Sequence, residues 1–139
     1  MMNSEIGFGR KLLQALEEQG ISFEHMPSGI DTMCVVVHED AIVGKKEKLM
    51  QRIHELCAPD SVEIHSGLAL IATVGRGMVR SKGISARLFN ALMKAGINVR
   101  LIDQGSSELN IIVGVDNLDF ENAVRAIYRA FVVKENNRW

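Results

Sequence analysis

Apolar side chains recur at helical spacing in two separate stretches of this chain. Phe8, Leu12, Ala15 and Leu16, continued by Gln19, follow the rhythm of one helix face. Ile84, Leu88, Ala91, Leu92 and Ala95 repeat it. Gly20 and Gly96 come next, where a helix end favours a left-handed residue. The pattern then predicts a short strand in "ISFEHM" and in "INVRLI", followed by a turn on Gly29 or Gly105. "TMCVVV" and "ELNIIVGV" read as second strands, and second helices are expected over residues 42–57 and 118–131.

The two stretches align without a gap, residues 7–37 against 83–113, at a constant offset of 76. Gly7 meets Gly83, Gly20 meets Gly96 and Gly29 meets Gly105. A fixed period is a statement about architecture. "GLALIATVG" supplies a strand ahead of the second copy, and no such strand stands before Gly7. "SVEIH" reads as a closing strand of the first copy, whereas the second ends in "FVVKENNRW". The ideal unit is therefore β-α-β-β-α-β, with one strand lacking at the front. The expected fold class is α/β (α+β): two tandem ferredoxin-like units, 1–66 and 67–139, each with helices on one face of an antiparallel sheet. "CVVV" and "NIIV" are apolar at consecutive positions, so both sheet faces are expected to meet apolar surface and the chain to form a homodimer.

Composition narrows the function. With 47% hydrophobic and 24% charged residues, the chain reads as globular. A net charge of −1 argues against a general polyanion binder, because affinity for phosphate backbones rests on Lys and Arg. RNA binding on this type of sheet needs exposed aromatics for stacking, and aromatics make up only 5%. No apolar run approaches the roughly 18 residues of a membrane span. "MMNSEIGFGR" is not a secretory leader, and the doubled Met reads as one added to an excised fragment. Cys34 and Cys57 stand far apart without a CxxC and are expected to be buried, inert thiols in a reducing cytoplasm. His25, His38, His54 and His65 have no metal-ligand spacing, and "VGRGM" lacks the third glycine of a nucleotide fingerprint.

"MNSEIGFG" carries more. It should lead into the first helix, where free N–H groups attract a carboxylate and glycines let a ligand reach the backbone. Glu24 and Asp31 lie across the turn and could hold an ammonium. An amino acid needs both kinds of group. The bland alternative makes Ser4 a helix cap and the two acids solvated turn residues. The repeat separates the copies: at offset 76 Glu24 becomes Arg100, Asp31 becomes Ser107 and Pro27 becomes Asp103. An ammonium beside Arg100 would be repelled, so the first copy is expected to sense and the second to scaffold.

"MNSEIGFGRKLL", "EHMPSGID", "LALIATVGRGM" and "INVRLIDQGSSELNIIVGV" resemble, in order and spacing, the tandem ACT domains of the aspartate kinase family. The likeness covers essentially the whole chain and is greatest to monofunctional bacterial forms that carry "PSGID". In that family a preceding kinase domain phosphorylates the β-carboxylate of aspartate with ATP. Lysine, and in some members threonine, binds at ACT–ACT interfaces and inhibits. The resemblance implies that this chain is the regulatory piece, not catalytic by itself and without a cofactor of its own. ATP and magnesium would bind the kinase domain, which is the implied intramolecular partner; neither nucleic acid nor membrane is implied. It places effector contacts at Met2, Asn3, Ser4, Ile6, Gly7, Phe8 and Gly9, and at Phe23, Glu24, His25, Pro27, Ser28, Gly29 and Asp31. Many relatives carry Asp at the place of Glu24 and a Thr/Ser pair at "PS". The two acids favour lysine over threonine. A ligand-free dimerisation module is the alternative, and an acylphosphatase-like enzyme is disfavoured for want of its phosphate loop.

Overall fold

The computed structural model describes residues 5–74, 82–104 and 110–133. The chain divides into two compact units, Met1–Ser66 and Gly67–Trp139.

In the first unit, helix α1 (Phe8–Glu18) starts after Gly7, whose φ of 86° is a left-handed conformation that a Cβ would strain. The Lys11 N–H donates to the Gly7 carbonyl at 3.0 Å, closing the first turn. Gly20, at φ 68°, ends the helix, and the Ile21 N–H reaches back to the Leu16 carbonyl. Strands β1 (Phe23–His25) and β2 (Val36–Val37) pair antiparallel, and a 3₁₀ turn (Glu39–Ile42) leads to α2 (Lys46–Cys57). Ala15 and Leu16 from α1 meet Leu49, Ile53 and Cys57 from α2 in a core that also holds Ile21 and Ile42. Burying each larger aliphatic side chain contributes about 1.5–3 kcal/mol.

The second unit repeats the plan with a longer sheet. Strand β3 (Leu68–Val74) precedes α3 (Ile84–Lys94), β4 (Leu101–Asp103) and β5 (Asn110–Asp116). A 3₁₀ turn (Asn117–Asp119), α4 (Phe120–Tyr128) and a π turn (Arg129–Val133) follow. The sheet order is β3-β5-β4, all antiparallel. Ile111, Val113 and Val115 project from β5 into a core with Leu88, Leu92, Ala123 and Ile127. Gly114 faces the other way. A Cβ there would stand 2.8 Å from the Leu101 Cβ, so only glycine lets β3 and β4 close around β5 at that row. Gly83 (φ 81°) and Gly96 (φ 71°) flank α3 as Gly7 and Gly20 flank α1.

Several expectations need correcting. "SVEIH" is not a strand: residues 61–67 carry no regular structure. Such a closing strand needs an edge to pair with, and the described part of this unit offers only the short β1-β2 ladder. "TMCVVV" pairs regularly only at Val36–Val37, with an isolated bridge between Ser28 and Met33. Cys34 is consequently exposed; Cys57 alone is buried, and burial pushes its thiol up from the ordinary value. The second helices begin later than their apolar patterns, after 3₁₀ turns, and α4 gives way to the π turn at Arg129. Apolar positions alone do not distinguish these tighter and wider turns from α-helix.

Candidate functional site

Of the described effector candidates, Ile6, Gly7, Phe8 and Gly9 stand at the start of α1, Phe23, Glu24 and His25 on β1, and Pro27, Ser28, Gly29 and Asp31 on the loop between β1 and β2. Gly7 supplies no side-chain cap to the first turn of α1. Gly9, the second residue of α1, lies against Met33: a Cβ on Gly9 would come 3.3 Å from the Met33 Cε. That contact brings the loop's return limb to the helix start.

The loop is tightly folded. The Cys34 N–H donates to the Pro27 carbonyl at 2.9 Å, and the Gly29 N–H to the Thr32 carbonyl at 2.7 Å. With the Ser28–Met33 bridge, these bonds put Ile30 and Asp31 at an exposed tip. A side chain on Gly29 would meet the Thr32 Oγ1 at 3.1 Å. On β1 the pairing steps from Phe23↔Val37 to His25↔Val36, so Glu24 is the extra residue of a bulge. It is exposed, whereas His25 and Pro27 are half-buried. Ile6 is almost wholly exposed at 99%, and Phe8 packs on the core. Met2, Asn3 and Ser4 lie outside the described residues, as do Gly105 and "GRGM".

The arrangement offers backbone donors, glycines and two exposed carboxylates: equipment for holding a small zwitterion. Among the described residues no group of three or more His, Cys, Asp or Glu could hold a metal ion. A cavity of about 580 Å³ lies elsewhere, against Leu13, Leu16, Gly20 and Phe23 at the far end of α1. Only Phe23 belongs to both sets. The sequence reading missed Met33 and Thr32, which shape the loop; Met33 stood inside an apolar run and signalled only strand.

In the second unit the place of Glu24 is filled differently. The Arg100 guanidinium donates to Asp116 Oδ1 at 2.7 Å, and the Arg100 N–H to the Gly114 carbonyl at 2.7 Å. The cation is thus already matched by an acid of its own unit. Asp116 was not foreseen as its partner, although the Glu24-to-Arg100 exchange signalled that something anionic should answer it.

The sequence profile of the ACT domain matches residues 71–131, within the second unit. Aspartokinase 3 of Bacillus subtilis (strain 168) is 42% identical over 132 residues, 94% of this chain and 29% of its own length. Residues 71–131 belong to the ACT-domain family, and the chain as a whole is similar to aspartokinases. The crystal structure of Clostridium acetobutylicum aspartate kinase superposes with a TM-score of 0.90 at 54% identity, covering 94% of this chain and 30% of that one. The ligand-free regulatory subunit of aspartate kinase from Thermus thermophilus gives 0.77 at 26% identity, with 94% and 86% covered. The chain therefore spans under a third of these two aspartokinases and most of that regulatory subunit. No described helix is long and apolar enough to cross a membrane.

Proposed function

We propose that this ACT pair is the effector-sensing part of an aspartate kinase, and that the first unit binds lysine and thereby inhibits aspartate phosphorylation. The observation that carries the reading is the contrast at one repeated position. Glu24 is an exposed carboxylate on a bulge, whereas its counterpart Arg100 is a cation paired with Asp116. The start of α1 would take the ligand carboxylate, and Glu24 its α-ammonium. Asp31 at the loop tip suits a second ammonium, which lysine has and threonine lacks. Inhibition follows if lysine binds the inhibited arrangement of the kinase better than the active one. ATP and magnesium belong to the kinase domain in this reading, and the setting is the cytoplasm. The site is open on one chain, which suits a homodimer that completes it.

Melting the chain with each of the twenty amino acids tests this. A ligand at a hundred times its Kd stabilises the folded form by about 2.7 kcal/mol. Lysine is expected to raise Tm and to sharpen a dimer in sedimentation. A shift with threonine alone would reassign the effector. No shift with any amino acid would leave a dimerisation module, and a monomer at high micromolar concentration with lysine present would remove the interfacial site.

A further inference from the structure

The seam between the two helices is built oppositely in the two units. In the first, the Arg52 guanidinium grips Glu18 with two hydrogen bonds, Nε–Oε2 at 2.6 Å and Nη2–Oε1 at 3.1 Å. Glu55 takes a third from Arg52, and Gln14 donates to Glu18. The seam is closed and its charges are answered.

The second unit keeps the helices and reverses the charges. At offset 76 Glu18 becomes Lys94, Gln14 becomes Asn90 and Lys11 becomes Arg87. The buried series Leu49, Ile53 of α2 matches Ala123, Ile127 of α4 at offset 74, which turns Arg52 into Ala126 and Glu55 into Arg129. What remains is a groove of about 360 Å³ between α3 and the α4–π-turn segment. Arg87, Lys94 and Arg129 line it with Asn90 over a floor of alanines, and no carboxylate is among its described lining residues. None of the three cations is in an ion pair among the described residues. Arg87 is held in place, its guanidinium 5.5 Å from the centre of the Phe131 ring.

We propose that this groove is a binding site for a small multivalent anion, separate from the effector site of the first unit. Like charges gathered on one cavity repel one another and are relieved by a counter-charge. Arg87 and Lys94 stand seven residues apart on α3, about 10 Å along its axis, and both side chains are long enough to converge on a ligand between them. Arg129 closes on it from the opposite wall, and the Asn90 carboxamide adds a donor. Guanidinium groups suit forked oxygens. The volume fits a compact polycarboxylate or phosphate ester, and the alanine floor accepts a small carbon skeleton. A single monocarboxylate would leave two of the three cations unanswered.

Titrating the labelled chain with pyrophosphate, citrate and ATP at constant ionic strength, followed by amide NMR, tests the assignment. Saturable shifts confined to residues 87–95 and 126–130 are expected, and chloride should produce none. Pyrophosphate and citrate binding alike would define an anion site; ATP alone, tighter, would name the phosphate-ester source. Lys94→Glu restores the first unit's acid and should both raise Tm and weaken binding at least tenfold. Lys94→Gln covers the case of a misfolded reversal and should weaken binding severalfold. Lys48→Glu, on the exposed face of α2, should leave affinity within twofold. Shifts that never saturate, or that survive Lys94→Glu and Lys94→Gln unchanged, would overturn the site. So would a glutamate-rich helical peptide that binds while all three small anions fail, since that points to a protein partner.

Discussion

The first and second units have the same helix starts, the same left-handed glycines and matching apolar helix faces, yet differ in what each leaves unfinished. The first has a closed helix seam, a two-residue ladder and exposed acids at Glu24 and Asp31. The second has a seven-residue antiparallel ladder, a matched Arg100–Asp116 pair and an open cationic seam. A repeat constrains the residues that bury surface, because each unit must bury the same helix faces against its sheet. It leaves the polar positions free to diverge, because exposed charges contribute little to the fold. Different ligand chemistry on one scaffold is what that freedom permits.

The largest expected effect tests whether the second unit carries the firmer core. Leu88 is completely buried, whereas its counterpart Leu12 is only half-buried. Leu88→Ala should cost about 3 kcal/mol and Leu12→Ala clearly less, read from chemical denaturation. Equal losses would mean that the units are equally packed.

Next comes ligand binding. Glu24→Gln keeps size and hydrogen bonding but removes charge, and should weaken lysine binding roughly ten- to a hundredfold, about 1.5–3 kcal/mol. Arg100→Gln should leave lysine affinity unchanged, since its own partner is Asp116. Calorimetric titration of both variants decides; a loss confined to Arg100→Gln would show that the sensing unit is the second.

A smaller effect belongs to the end of α2. Ala58 follows that helix at φ 42°, the one non-glycine with positive φ among the described residues. Ala58→Gly should stabilise by about 1 kcal/mol, seen as a higher Tm, because glycine adopts this conformation without a Cβ clash. An unchanged or lower Tm would mean that Ala58 is not strained.

The smallest effect lies in acid. Arg52, by hydrogen bonding, holds the Glu18 carboxyl at about 2 rather than 4.5. A depressed carboxyl stabilises the fold fully above its unfolded value, and that contribution disappears as pH falls from 4.5 through 2. The Tm gap between the wild type and Arg52→Gln should therefore shrink across that window. The exchange Glu18→Lys94 leaves the second unit without this dependence, so a gap that stays constant down to pH 2 would contradict the pairing.

Much of this was legible in the amino-acid order, and the limits have physical causes. Helix faces and left-handed glycines were readable because periodicity and a missing Cβ act locally. The ladder lengths were not: whether "SVEIH" or "TMCVVV" forms a strand depends on a neighbouring edge that no local pattern encodes. The glycine-bearing helix start and the acids Glu24 and Asp31 could be named from chemistry alone. Their gathering through Gly9 and Met33 could not, since one methionine in an apolar run looks like any other. The groove between α3 and α4 was not legible, because the buried positions of α4 follow those of α2 at an offset of 74 rather than 76.

The pairing of β3 with β5 also bears on how fast the second unit assembles. Leu68 meets Asp116 and Val74 meets Asn110, so the ladder joins strands separated in sequence by all of α3 and β4. Every one of its hydrogen bonds waits for a long stretch of chain to close, an entropic delay that local helix formation does not face. The β4–β5 pair, with a much shorter span between Asp103 and Ile112, can form first and present β5 as a template. On that ordering, substitutions in β3 should chiefly quicken unfolding, while those at Val113 should also slow folding.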